Sequence, residues 1–138
     1  MASIEDALYV RLTAVTAVTD LVGLRIYPVK KDTGAKVVWP FVVYATTLSR
    51  RVRAMVSDPG YVESSVRFHV WAKDSGGYDS GVAIAAAIRG ALQRWSGTSQ
   101  TIVVDQVFLD DEYDVDAGET IDPGVFHRVV DFDCRWYE

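Results

Sequence analysis

The densest group of titratable side chains is a run of five carboxylates within seven positions: Asp110, Asp111, Glu112, Asp114 and Asp116. Carboxylate oxygens are the ligands that Ca²⁺ prefers, so the run is a candidate metal site. Its spacing does not fit an EF-hand, because a loop that starts at Asp110 has Val115 where glycine must turn the chain. We therefore expect no obligatory metal. Crowded carboxylates repel one another, which favours a position in water or beside basic groups of a partner.

A second candidate group is basic. Arg50, Arg51 and Arg53 lie near the start of residues 49–60, which lack apolar periodicity and end in a Pro-Gly turn signal, so the pattern predicts a loop. Guanidinium groups in a loop can clamp phosphate or bind the carboxylates of a neighbouring subunit. Without interleaved aromatic residues they do not form a nucleic-acid platform. An exposed loop without a role and a subunit contact, through these arginines and Asp58, both remain open.

Enzyme motifs are absent from the rest of the chain. No Gly-rich phosphate-binding pattern and no Gly-x-Ser-x-Gly elbow is present. The two histidines, His69 and His127, each stand alone in a segment of alternating polarity, away from a serine nucleophile. The single cysteine, Cys134, can form neither an internal disulfide nor a thiolate zinc site, and we expect it to be a small buried apolar residue. The sequence predicts a protein that is not an enzyme and needs no cofactor.

The charges are distributed unevenly along the chain. Residues 1–94 carry 12 Lys/Arg and 8 Asp/Glu, whereas residues 95–138 carry 2 Arg and 11 Asp/Glu, within a net charge of -5. A folded protein with this pattern should have a strongly negative patch and a weakly positive one. Negative surface repels phosphates, which disfavours a dedicated DNA-binding module. Complementary patches suit head-to-tail contacts between identical copies.

The elements that must position these groups point to one domain over residues 1–138 of α+β class. With 49% hydrophobic residues the chain can build a core, no apolar run is long enough to span a membrane, and the acidic N-terminus is unlike a signal peptide, so we expect synthesis in the cytoplasm. Helices are predicted at residues 4–15 and 79–95, and an acidic loop at residues 110–124. Strands are predicted at residues 25–28, 41–48, 61–73, 102–109 and 125–137. We expect a largely antiparallel sheet of four to five strands with two helices on one face.

Eight short segments occur together in a characteristic order. They lie at residues 3–8, 21–28, 39–44, 57–60, 67–72, 88–92, 110–114 and 126–137. In this order the chain resembles the tail-completion, or tail-terminator, proteins of long-tailed bacteriophages, which also occur in prophages and gene-transfer agents. The resemblance covers essentially the whole chain. The acidic run after residue 109 is longer and more acidic than the family pattern leads us to expect.

The resemblance implies a structural virion protein rather than an enzyme. It implies a ring of six copies at the head-proximal end of the tail tube, where it stops tube polymerisation and offers a surface to the head-closure or connector protein. DNA would pass through the bore without specific binding, and the acidic cluster would face either the bore or a neighbouring copy. Residues 49–60 would be mobile in the free protein and ordered between copies. The alternatives are another neck component, such as a connector adaptor or head-closure protein, and a small ligand-binding domain.

Overall fold

The computed structural model describes residues 3–28, 40–52, 60–73, 77–99, 101–114 and 125–137. Of the candidate site residues, Arg53, Asp58 and Asp116 lie outside these ranges. The helices are α1 (Ile4–Ala14), α2 (Thr16–Val22) and α3 (Gly77–Leu92). The strands are β1 (Ile26–Pro28), β2 (Phe41–Arg51), β3 (Tyr61–Lys73), β4 (Gly97–Ser99), β5 (Ile102–Asp114) and β6 (Val125–Tyr137).

The helices begin and end where local chemistry requires it. Ser3 caps α1 in a capping box, in which its hydroxyl accepts from the Asp6 N–H (3.2 Å) and the Asp6 carboxylate accepts from the Ser3 N–H (3.3 Å). The extended backbone at Val15 separates α1 from α2, which ends at Gly23 with a φ of 60°. Since this left-handed region favours glycine, Gly23 lets the chain turn directly into β1.

The sheet has six strands in the order β1-β2-β3-β6-β5-β4. All neighbours are antiparallel except β1 and β2, which are parallel. The predicted α+β class and largely antiparallel sheet are confirmed. The predicted counts were too low, since the described chain has three helices and six strands. The seven residues of α2 and the three residues of β4 are too few to show a clear periodicity.

Alternation along the central strands decides which face of the sheet is covered. Every second residue of β3 from Val62 to Ala72 is buried, as is the β6 series of Val130, Phe132, Cys134 and Trp136. These side chains form one core with Leu8 and Leu12 of α1, Val18 and Val22 of α2, and Ile84, Ile88 and Leu92 of α3. All three helices therefore pack on this covered face, and the other face of the sheet is called the open face.

The first residues of both predicted loops lie in strands instead. The β2 strand continues to Arg51, so Arg50 and Arg51 are strand residues paired with Glu63 and Val62 of β3. The β5 strand continues to Asp114, so the four described carboxylates of the predicted acidic loop, Asp110, Asp111, Glu112 and Asp114, also lie in a strand. Because each segment has one strand neighbour among the described elements, its polar side chains can reach water, and the backbone pairing forms without an alternating apolar pattern.

A glycine in α3 sets the approach of this helix to the sheet. A Cβ added at Gly81 would lie 2.3 Å from Cδ1 of the Phe126 ring on β6, whereas a Cβ at Gly90 of the same helix would meet nothing within 4 Å. We expect Gly81→Ala to lower the free energy of unfolding by about 1–3 kcal/mol through overpacking. The matched control Gly90→Ala should raise it by about 0.5–1 kcal/mol. Urea unfolding measures both, and equal effects of the two substitutions would contradict this packing.

Candidate functional site

On the outer side of β2, the described contacts lie at the first half of the strand. β1 pairs only with Val42–Tyr44, and the Glu5 carboxylate of α1 accepts the Thr46 N–H (3.1 Å) and also the Thr46 hydroxyl. In the part of the chain that the structure describes, no strand lies beside Thr47–Arg51 on this side, and we call these residues the basic edge. The Arg50 side chain is 75% exposed and donates to Glu63 at 2.9 Å.

The outer side of β5 is closed at one end by the C-terminus of α3. β4 pairs only with Ile102–Val104. Beyond it, the Arg94 N–H donates to the Val107 carbonyl (2.7 Å), and the Leu109 N–H donates to Oε1 of Gln93 (2.5 Å). The remaining residues, Asp110–Asp114, have β6 as their only strand neighbour among the described elements, and we call them the acidic edge.

Glu112 is held inside the protein by two arginines on the covered face. Its Oε1 accepts from Arg89 of α3 (2.5 Å) and its Oε2 from Arg128 of β6 (2.5 Å), while Arg128 also donates to Asp114 (2.6 Å). Burial would raise the pKa of Glu112, but hydrogen bonds from Arg128 and Arg89 outweigh it, so its pKa lies below the ordinary value. Two of the predicted acidic residues thus have internal partners.

Asp110 and Asp111 are placed differently. Asp110 is the extra residue of a bulge between Leu109 and Asp111, and the Asp111 carboxylate accepts the N–H of Glu112 at 2.9 Å. Asp110 lines a shallow depression of about 190 Å³ on the open face, which spans β2, β3, β6 and β5. The side chains around it are Leu48, Arg50, Glu63, Ser65, Asp110 and Asp133. The fold therefore brings Arg50 and Asp110, which are far apart in the sequence, to one surface.

The open face also carries an aromatic and histidine cluster that sequence reasoning missed. His69 and His127 form a hydrogen bond between Nδ1 and Nε2 (2.8 Å), so the two histidines are not isolated. The His127 ring stacks on Trp71 with centroids 3.8 Å apart, and Trp71 stacks on Phe41 of β2. Both histidines lie on the polar phase of their strands, which was visible in the sequence, but their meeting depends on the β3–β6 register, which was not.

Burial lowers the pKa of both histidines. The pKa of His127 falls to about 4, mainly because the ring is buried and additionally because His69 lies beside it. The pKa of His69 falls through burial and the nearby Arg67 charge, with Asp131 acting in the opposite direction. Arg67 and Asp131 form an ion pair beside the histidines, with Nε to Oδ1 at 2.8 Å.

No described group of three or more His, Cys, Asp or Glu side chains is arranged to hold a metal ion. Cys134 is fully buried, and burial together with the nearby Asp133 raises its pKa to about 12. A thiol with such a pKa is almost entirely protonated at neutral pH and reacts poorly. Within the described ranges, no helix is both long enough and apolar enough to span a membrane.

The chain matches the sequence profile of a known family and is similar in fold to a solved structure. The sequence profile of a family described as tail completion protein gp17 matches residues 6–137, which confirms the resemblance carried by the eight segments. The fold is similar to a chain in the solved structure of the virion of a native gene transfer agent particle, with a TM-score of 0.73 and 15% sequence identity, over 95% of this chain and 92% of that chain. A search of curated proteins found no match.

The arginine clamp on Glu112 gives a first prediction for this region. Glu112→Gln should lower the free energy of unfolding by about 1–2 kcal/mol at pH 7, because the largely buried Arg128 and the partly exposed Arg89 lose a shared counter-charge. Since the folded pKa of Glu112 lies below 4.5, the contribution is present above pH 4.5 and is lost as the pH falls through the folded value. Urea unfolding at pH 7 and pH 3.5 tests this. The control Asp111→Asn should change stability by less than about 0.5 kcal/mol.

The histidine pair gives a second prediction. The pKa of His127 is about 4 in the folded protein against an ordinary 6.5. Between these values the unfolded chain binds a proton at this residue and the folded protein does not. Stability should fall as the pH drops from 7 to 5, and His127→Gln should reduce that fall by about 1–2 kcal/mol. Thermal unfolding at the two pH values measures the difference. An unchanged fall in the variant would show that His127 does not stay neutral in the folded protein.

Proposed function

Because the chain belongs to the tail completion protein gp17 family, which is a structural virion component and not an enzyme, we propose that it forms a closed ring at the head-proximal end of a phage or gene-transfer-agent tail. The ring contains six copies. It ends polymerisation of the tail tube, and its other side receives the head-closure or connector protein. DNA passes through the bore without specific binding.

The observation that carries the ring is the position of the two charged edges. A ring of identical copies needs two different and complementary surfaces on each copy, so that a head-to-tail contact can repeat until it closes. The basic edge and the acidic edge lie at opposite ends of the strand order β2-β3-β6-β5. Each copy can therefore present Arg50 to one neighbour and Asp110 and Asp111 to the other.

The open face suits a wall past which DNA moves. The depression on this face has one basic side chain, Arg50, against three carboxylates from Glu63, Asp110 and Asp133. Arg50 is already paired with Glu63, Arg67 with Asp131, and Arg135 with Asp133 at a longer 3.7 Å. The carboxylates of Asp110 and Asp111 remain on this face, and their negative charge would repel phosphates, as a conduit requires.

Electron microscopy of negatively stained protein, alone and mixed with tail tubes, tests the proposal. We expect rings in concentrated protein and a single ring at one end of each tube. Rings that bind only the portal side of an isolated head would instead identify another neck component. Only monomers and two-fold dimers, both in solution and on finished tails, would contradict a ring.

Substitution of the exposed carboxylates distinguishes a role in the wall of the bore from a role in the contact between subunits. The double variant Asp110→Asn, Asp111→Asn should keep the parent thermal stability to within about 0.5 kcal/mol, because neither residue contributes to the core. If the pair binds the next copy, half-assembly should need about tenfold more protein. If the pair lines the bore, assembly should be normal and salt-sensitive DNA binding should appear.

Light scattering measures assembly, and a DNA-binding titration at two salt concentrations measures the affinity for DNA. The matched control Asp79→Asn changes an exposed carboxylate in the first turn of α3 that belongs to neither edge, and it should alter neither assembly nor DNA binding. A double variant that assembles normally and ignores DNA would assign these carboxylates no role in the ring.

A further inference from the structure

We propose that the basic edge of one copy and the acidic edge of the next pair as adjacent antiparallel strands, so that the sheet continues from copy to copy. Ser49 of one copy lies opposite Glu112 of the other. The inference rests on the proposed ring and adds to it the backbone contact that would join the subunits.

The backbone of Ser49 points away from the sheet. The Val52 N–H donates to the Tyr61 carbonyl at 2.9 Å, so these two residues form a hydrogen-bonded pair of the β2–β3 ladder. Such pairs alternate along antiparallel strands, so Arg50 also bonds to β3, whereas the N–H and C=O of Ser49 face outward. The contact between the Ser49 and Ser64 hydroxyls (3.0 Å) is typical of the closer, non-hydrogen-bonded pair.

The backbone of Glu112 points outward on the other edge. The outward groups of Val107 and Leu109 bond to Arg94 and Gln93, which fixes the alternation in the first half of β5. The bulge at Asp110 shifts that alternation by one residue, so that Glu112 faces outward beyond it. Its N–H bonds to the Asp111 carboxylate, an exposed contact that a neighbouring strand can replace.

Opposing Ser49 to Glu112 sets the remaining side-chain pairs. Arg50 meets Asp111, and both side chains lie on the open face. Leu48 meets Tyr113 on the same face, and these are among the exposed large hydrophobic residues, at 63% and 38%. Cross-strand pairs of opposite charge and of apolar side chains stabilise antiparallel strands. In this one register, the outward backbone groups form hydrogen bonds, opposite charges face each other, and exposed apolar side chains cover one another.

The length and direction of the two edges also agree. Glu5 closes β2 at Thr46, and Gln93 closes β5 at Leu109, which leaves Thr47–Arg51 on one edge and Asp110–Asp114 on the other. Within the sheet, β2 and β5 run in opposite directions. Rotation about an axis along the strands preserves those directions, so β5 of one copy is antiparallel to β2 of the next.

A disulfide between copies tests this register. In the proposed ladder Leu48 and Tyr113 form a non-hydrogen-bonded pair with Cα atoms about 4.5 Å apart, within the range of a disulfide. The double variant Leu48→Cys, Tyr113→Cys should, after oxidation of concentrated protein or finished tails, give a ladder of linked oligomers that ends at the closed ring. Buried Cys134 should not take part, because its pKa is about 12.

The matched control is Leu48→Cys with Val103→Cys. Val103 is exposed and lies on the open face of the same strand, but it stands before the segment closed by Gln93 and Arg94. This pair should give at most about a tenth of the linked product, since its Cα atoms are too far apart. Rings seen by microscopy that link no better through residues 48 and 113 than through the control pair would overturn the strand pairing and leave the proposed ring intact. The absence of any oligomer would overturn both.

Charge exchange provides a second measurement that does not depend on cysteine chemistry. Arg50→Glu and Asp111→Arg should each raise the concentration for half-assembly by about tenfold, because like charges then face each other across the interface. The combination of both substitutions in one chain should return it to within about threefold of the parent. Failure of the double variant to recover, with the fold intact by circular dichroism, would contradict the opposition of Arg50 and Asp111.

Discussion

The uninterrupted antiparallel pairing of β3 with β6 is the constraint on which the other elements depend. It runs without a bulge from Tyr61 opposite Tyr137 to Lys73 opposite Val125. On one face it supplies the rows that α3 covers, with Phe68 and Phe132 in edge-to-face contact at its centre. On the other face it sets Arg67 beside Asp131 and His69 beside His127. β2 and β5 flank this pair, so the distance between the two charged edges is fixed by two strands of constant register.

Exposed strand edges invite unwanted pairing, and this fold closes most of each edge with a side chain or a helix end. Glu5 occupies the Thr46 N–H on one side, while Gln93 and Arg94 occupy Leu109 and Val107 on the other. The closing groups come from α1 and from the C-terminus of α3, so the core that orients these helices also limits the edges. The part of each edge with no strand on its outer side among the described elements is short and charged, which disfavours pairing with arbitrary strands and favours a segment of opposite charge.

The sequence indicated the parts of this fold that follow from the burial of apolar side chains. It missed the parts that follow from which strands pair and in which register. The alternation in β3 and β6 identified the covered face correctly, because a shift by one residue would expose every apolar side chain. The ends of β2 and β5 were read as loops, because a polar edge strand has no apolar alternation to reveal it. Arg128 occupies an inward position between Phe126 and Val130, and a charge at such a position signals a buried partner. Its identity as Glu112 follows only from the β5–β6 register.

The attachment of β5 to α3 has a mechanical consequence. Gln93, Arg94 and Arg89 hold the strand to the C-terminal half of the helix at three successive places, the last through Glu112. A force applied at Asp110–Asp114 is therefore transmitted into α3 and the core beneath it, and it must break several contacts at once. A strand held only by the hydrogen bonds of its ladder would detach one bond at a time. In the proposed ring, such anchoring would resist peeling of β5 at the edge that binds the next copy.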